Sequence, residues 1–240
     1  MVGLRVNRVA IGDREVRKTR RLGAGVVIAC GNVYFRLAGA LFRMFPTVGA
    51  WIDHEARMFE AIHRRAVHRD GRTLVMPRLP GRDLHAVTTD EASPRALGGA
   101  GRALAAIHAS GLSHGDVNLG NFVWDGERAA LIDFDAAHDP AHAIERRAAD
   151  DVLGLALDLA RLDGDFEQRF AWFLEGYEPR RAVAGPFAAL ARSRGFLGRS
   201  LLRARAHAAP PEALGERLDI AIALMERAGG SFRTEYRSTS

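Results

Sequence analysis

Apolar and polar positions roughly alternate along Leu4-Arg5-Val6-Asn7-Arg8-Val9-Ala10-Ile11, then Gly12-Asp13 leads into Arg14-Glu15-Val16-Arg17-Lys18. That pattern predicts a β-hairpin. Val26 to Ala29 and Asn32 to Leu37 read as further strands, with a helix through Phe45 as the alternative for the second, and Pro46 ends either one. From Ala50 the period turns helical. Trp51, Met58, Phe59 and Ile62 share a face, and Glu55 lies on that same apolar stripe while Glu60 points away. A carboxylate there needs a cationic partner, because burying it unpaired is costly. Thr73 to Met76 forms a short apolar strand running into Pro77-Arg78-Leu79-Pro80-Gly81, which can continue neither strand nor helix and reads as a hinge. Beyond it the pattern is mostly helical: Asp90 to His108, Asp150 to Arg161, Phe166 to Gly176, Phe187 to Ala208 and Glu212 to Arg227. Gly111, Pro179, Gly185-Pro186 and Pro210-Pro211 serve as breaks.

The chain has 240 residues, 48% of them hydrophobic and 26% charged, which suits one large domain or two small lobes and excludes a disordered chain. No apolar run approaches the length of a membrane span, no signal peptide is visible, and the single cysteine, Cys30, excludes an internal disulfide. A reducing, cytoplasmic setting is the expectation. The net charge of +5 points toward anionic partners. Among the 34 basic residues Lys18 is the only lysine.

The chemistry-bearing stretch is His114-Gly115-Asp116-Val117-Asn118-Leu119-Gly120-Asn121-Phe122-Val123-Trp124, then Asp125-Gly126, then Ala129-Ala130-Leu131-Ile132-Asp133-Phe134-Asp135. Two apolar runs around an Asp-Gly turn predict a hairpin with Asn121 at its entrance and Asp133 at its exit. Asp116 lies on the loop just before. Three oxygen-bearing side chains at one loop mouth suit a hard divalent cation and a hydroxyl nucleophile together. Asp135 reads as a loop acid capping Ala136-Ala137. His138 and His142 are separated by Pro140, which argues against a metal pair.

This block resembles the catalytic loop and metal-binding turn of the protein-kinase-like superfamily, in which His-x-Asp-x-x-x-x-Asn precedes an Asp-Phe-Gly-type turn. The forms His-Gly-Asp and Ile-Asp-Phe-Asp are closer to bacterial lipopolysaccharide-core (Kdo and heptose) kinases, aminoglycoside and choline phosphotransferases, and atypical kinases of the RIO and Bud type. The resemblance implies an α+β, bilobal protein-kinase-like fold. Residues 1–77 would form a small mixed β/α lobe carrying the nucleotide-binding sheet and a helix. Residues 78–240 would form a mostly helical lobe with the catalytic β-hairpin. It implies ATP and Mg²⁺ as cofactors, Asp116 as the catalytic carboxylate that receives or orients the hydroxyl proton, and Asn121 and Asp133 as metal and nucleotide ligands. It also makes His114 a packing strut and Asp151 a brace beneath the catalytic loop, and has Met76 to Leu79, including Arg78, offer backbone groups to the adenine.

Such enzymes hold the nucleotide phosphates with a lysine fixed by a helix glutamate. Glu55 meets the second requirement and Lys18 the first, with Arg36 as the rival; were the Gly23 to Gly31 stretch the glycine loop, and Gly23-Ala24-Gly25 not a plain turn, the cation would have to be Arg36 or Arg43. No Gly-x-Gly-x-x-Gly precedes Lys18, which keeps a nucleotide-binding pseudokinase among the alternatives. The interval from Asp133 to Asp151 is short, and Ala136 to Arg147 contains no Ser, Thr or Tyr, leaving no activation loop and no peptide platform. The acceptor expected is therefore a hydroxyl on a lipopolysaccharide-core sugar or another small molecule, with an atypical Ser/Thr protein kinase as the alternative. Arg192, Arg194, Arg199, Arg203 and Arg205 could meet glycan phosphates or an acidic membrane surface, although a solvated helix face explains most of them.

Overall fold

The computed structural model describes residues 6–88, 91, 93–192 and 211–230. Its architecture is bilobal and α+β, with a mixed β/α N-terminal lobe and a mostly helical C-terminal lobe. The expected hairpin is present as β1 (Asn7–Ile11) and β2 (Glu15–Arg20), in antiparallel register with Val9 opposite Lys18. With β4 (His68–Asp70) and β5 (Thr73–Pro77) they make a sheet of order β1-β2-β5-β4. Helix α2 (Val48–His63) lies across that sheet, capped by the Thr47 hydroxyl, and buries Trp51, Ile52, Met58 and Phe59 in one core with Leu74 and Met76.

The two strands expected between Val26 and Leu37 are instead one helix, α1 (Ala24–Leu37). The β-branched run is ambiguous because Ala24 and Ile28 also satisfy a helical period, and they are the buried residues of α1. Gly23 precedes the helix with φ of 78° and Gly25 packs against the Pro46 carbonyl, so the Gly23-Ala24-Gly25 stretch starts a helix. Strand β3 (Phe42–Met44) comes next and pairs with β9 (Ala136–His138).

In the large lobe, β6 (Arg82–Asp83), β7 (Phe122–Trp124) and β8 (Ala129–Leu131) form a second small sheet. Its β7–β8 turn is the Asp-Gly turn expected, with the Asp125 side chain accepting from the backbone of Glu127 and Arg128 at 2.8 Å each. The helices are α3 (Leu84–Val87), α4 (Ser93–Ala109), α5 (Ile144–Leu159), α6 (Phe166–Gly176), α7 (Arg180–Ala191) and α8 (Pro211–Gly230). Gly185-Pro186 does not break the chain, since Pro186 lies inside α7, where Val183 and Phe187 are buried. The continuation expected from Phe187 to Ala208 falls beyond Arg192 on residues outside those described.

Helices α4 and α6 cross closely enough to exclude side chains. A Cβ on Gly101 would sit 2.2 Å from the Phe173 carbonyl oxygen, and one on Gly176 would sit 1.9 Å from that of Gly98. Both obstacles are backbone, so Gly101→Ala must push the helices apart. The expected cost is about 3 kcal/mol or more, measured as a lower denaturant midpoint; an unchanged midpoint would show that this crossing is loose.

Candidate active site

Three elements converge on the single lysine. Lys18 projects from β2 towards α2 and is buried, with its Nζ 2.5 Å from Glu55 Oε1, 2.8 Å from Asp133 Oδ1 and 3.0 Å from Asp135 Oδ1. The structure thus brings Lys18 to Glu55, whereas Arg36 is exposed on α1. Glu55 sits on α2 one turn beyond Trp51, whose indole Nε1–H is shared between Glu55 Oε2 at 2.8 Å and Asp135 Oδ1 at 2.6 Å. Full burial, and the neighbouring carboxylates, push the Glu55 carboxyl well up from its ordinary range despite Lys18. At Asp135 burial also favours the neutral acid, but Lys18 and the hydrogen bonds around it prevail and hold the group at about 2. Asp135 is therefore the firmly ionised partner of the ammonium, which stays protonated far above neutral pH.

The sequence leaves the role of Asp135 open, with a loop cap as its plain reading, and the structure gives it long-range partners. Besides Lys18 and Trp51 it accepts from Asn7 Nδ2 at 2.6 Å, tying β1, β2 and α2 to the turn after β8. Arg20, two residues along β2 from Lys18, is also buried. Its guanidinium lies 4.4 Å from the centre of a Trp51 ring, and none of its nitrogens has a hydrogen-bond partner. Neither residue belongs to the His-Gly-Asp motif; the one available signal is a second acid directly after Asp133-Phe134.

The catalytic-type loop is held from below by α5. Asp151 accepts from the backbone N–H of His114 at 2.7 Å and of Gly115 at 2.8 Å, and contacts His108 Nε2 at 3.0 Å. Burial opposes its ionisation, yet His138 and His108 hold the carboxylate well below its usual range. On the same helix, the preceding residue Asp150 contacts His138 at 3.1 Å, and two turns further on Asp158 accepts from Leu119 N at 2.8 Å. The brace position expected of Asp151 is therefore occupied, and Asp158 is a second one that no sequence motif marks. Gly115 has φ of 88° and lies so close to Ala136 and Ala137 that a side chain would touch the Ala137 backbone at 3.2 Å, which explains glycine between His114 and Asp116. The His114 ring packs on Phe134, and its Nε2 is 2.9 Å from the Ile132 carbonyl oxygen.

Asp116 is exposed at the loop mouth. Asn121 ends a single 3₁₀ turn (Leu119–Asn121) and donates from Nδ2 to the Asp116 carbonyl at 2.8 Å, while Ile132 N donates to the Asn121 carbonyl at 2.8 Å. Those two bonds fix Asn121 beside the strand end that carries Asp133. Asp133 adopts a left-handed backbone, φ 66°, unusual for a residue with a side chain and held here by its surroundings. Its carboxylate opens onto a cleft of about 350 Å³ lined by Val9, Val16, Phe59, Met76, Leu79 and Ile132, with Lys18, Arg78, Asp83 and Asp133 as its charged groups. Met76 and Arg78 both border this cleft. The Arg78 backbone N–H is engaged by the Arg14 carbonyl at 2.9 Å, and its guanidinium reaches the Gly12 carbonyl at 3.1 Å, so Arg78 pins the β1–β2 turn to the hinge segment.

Beside the cleft, burial holds His54 neutral, with its pKa lowered to about 4, and lowers that of His63 as well. An unfolded histidine titrates near 6.5. Both groups therefore give full stability above that value and lose it as pH falls through their lowered pKa values, for His54 down to about 4. The melting temperature should drop by several degrees between pH 7 and pH 5, and His54→Gln should flatten part of that slope in calorimetry.

No family model matches the sequence. A curated protein of Methanoculleus marisnigri, described as a probable bifunctional tRNA threonylcarbamoyladenosine biosynthesis protein, is 30% identical over 179 residues, covering 70% of this chain. The chain spans about a third (33%) of that relative's length. Among solved structures, the bifunctional kinase-methyltransferase WbdD matches with a TM-score of 0.42 and 18% identity, over 85% of this chain and 49% of that one.

Proposed function

We propose that this chain is an ATP- and Mg²⁺-dependent phosphotransferase whose acceptor is a hydroxyl on a small molecule or glycan, a lipopolysaccharide-core sugar first among them. The observation that carries the reading is the buried Lys18–Glu55 pair meeting Asp133 in a cleft with largely apolar walls, directly beside the Asp116–Asn121 loop. In this reading residues 1–77 act as the nucleotide-binding lobe and residues 78–240 as the lobe that carries the catalytic loop.

The residues present fit both cofactors. The cleft's aliphatic and aromatic walls suit a purine ring, and Asn121 and Asp133 supply the oxygen donors that a hard cation prefers. Glu55, Asp133 and Asp135 approach one another within 4.8 Å around one lysine, a carboxylate excess that welcomes further positive charge. When bound, Mg²⁺ would neutralise charge on the nucleotide's terminal phosphates. The chain's own groups would do the rest. Lys18 would hold the phosphates, positioned by Glu55 and Asp135, and Asp116 would orient the acceptor hydroxyl and take its proton. Asp151 and Asp158 would keep the loop in place through its backbone.

The short stretch of chain after Asp133 supports a small-molecule acceptor. Residues Ala136–His138 are committed to pairing with β3 and α5 starts at Ile144, so little chain is left on which a peptide could lie. Arg192, of the arginines considered for phosphate contact, pairs with Glu226 at 3.5 Å, and Arg194, Arg199, Arg203 and Arg205 lie outside the described residues. A second reading, a phosphotransferase module acting on protein or within tRNA modification, is favoured by the likeness to the Methanoculleus protein. Labelled ATP offered with core glycan, with generic proteins, with tRNA-modification components or alone separates these readings. Transfer to glycan supports the first, and transfer only to the others supports the second. ATP binding without transfer above an Asp116→Ala control would overturn both in favour of a nucleotide-binding pseudokinase.

A further inference from the structure

The large hydrophobic side chains most exposed among the described residues are not scattered. Val9 and Ile11 belong to the wall of the cleft; the others lie between Leu22 and Leu37, on and just before α1. Leu22 is 86% exposed, Val26 71%, Val33 51% and Leu37 66%. Val26, Cys30, Val33 and Leu37 succeed one another at helical spacing, so they form a single apolar stripe facing solvent. The opposite side of α1 is firmly seated. Asn32 clasps Met44 through both backbone groups, at 2.8 and 2.9 Å, the Phe35 and Phe42 rings lie 5.1 Å apart, and Ile28 is buried. The stripe is thus held outward by the fold and does not arise from a loosely attached helix.

Charge decides what such a stripe would meet. From Val16 to Ile52 the chain contains no Asp or Glu, while Arg21, Arg36 and Arg43 are exposed around the helix. A second copy docking through the same face would bring arginines together with no acid in the segment to pair with them. The stripe is also aliphatic, without the aromatic and arginine anchors that dominate protein interfaces. An anionic lipid surface needs neither anchor nor acid: it accepts aliphatic side chains below the headgroups and pairs arginines with phosphates. No helix of the described residues is long and apolar enough to cross a membrane, whereas α1, at 14 residues and roughly 21 Å, suits a helix lying in the interface plane.

We infer that α1 is a membrane-surface docking helix, inserting Leu22, Val26, Val33 and Leu37 into an anionic leaflet with Arg21, Arg36 and Arg43 at headgroup level. The single cysteine lies within the stripe, which permits a direct test on the full chain. Cys30 labelled with an environment-sensitive fluorophore should shift to the blue on phosphatidylglycerol/phosphatidylcholine vesicles and hardly at all on phosphatidylcholine alone. Unlabelled protein should co-sediment with the anionic vesicles about tenfold better than with the neutral ones, less so in high salt. Val33→Asp with Leu37→Asp should remove that preference, and since both positions are solvent-facing, circular dichroism should show an unchanged fold. Equal sedimentation with both vesicle types would overturn the inference. So would a concentration-dependent dimer in ultracentrifugation that the same two substitutions abolish, since a second copy would then be the occupant. Because the stripe is separate from Lys18 and Asp116, vesicle binding is read without any turnover.

Discussion

Replacing Lys18 with methionine is expected to abolish phosphoryl transfer and to destabilise the chain by about 3–5 kcal/mol. The loss of stability stems from what would remain. Glu55 is fully buried, Asp135 is mostly so, and Asp133 stands beside them, partly open to the cleft, with Lys18 as their shared counter-ion. Removing the ammonium leaves carboxylates facing one another away from water, and they can relax only by taking up protons. Denaturant titration at pH 7 should show the cost, and the cost should shrink as pH is lowered and the acids become neutral. Combining Lys18→Met with Glu55→Leu should recover part of the stability without any activity, because an apolar pair satisfies a buried site that an orphaned charge does not. If Lys18→Met proved as stable as the parent, the ion cluster would be peripheral to the fold.

The second large effect is expected at Asp116. Asp116→Asn should lower turnover by about 10²- to 10⁴-fold while leaving Mg²⁺-dependent nucleotide affinity intact, since Asp116 is exposed and, in the proposed reading, serves the acceptor hydroxyl and not the metal. Asn121→Ala and Asp133→Asn should do the reverse and remove Mg²⁺-dependent nucleotide binding itself. Titration calorimetry with a non-hydrolysable nucleotide, with and without Mg²⁺, separates the two classes. Equal affinity in all three variants would refute this division of labour.

Much of this is legible in the chain because it is local. The hairpin around Gly12-Asp13, the Asp125-Gly126 turn and the apolar stripe that carries Glu55 each depend on a few consecutive residues. The Lys18–Glu55 contact is reachable by chemistry, since an acid on a buried face requires a cation and the chain has one lysine. Two kinds of feature are hidden. Short β-branched runs satisfy both periods, so only the seat of α1 on β3 and Pro46 decides for a helix over strands. Asp135 is hidden because its partners, Asn7, Lys18 and Trp51, are brought to it only by the tertiary fold. Pro186 misleads for a related reason: packing of Val183 and Phe187 outweighs one missing backbone donor.

The pairing of β9 with β3 bears on how output would be controlled. In Phe42–Met44 and Ala136–His138 the residues directly after Asp135 are zipped onto the strand that seats α1, and a few residues later the chain is already in α5. There is no slack in that interval for a segment to swing between two positions, and no hydroxyl in it to be modified. That interval therefore supplies no switch of its own. The amides of both strands should instead exchange with heavy water together, as one unit.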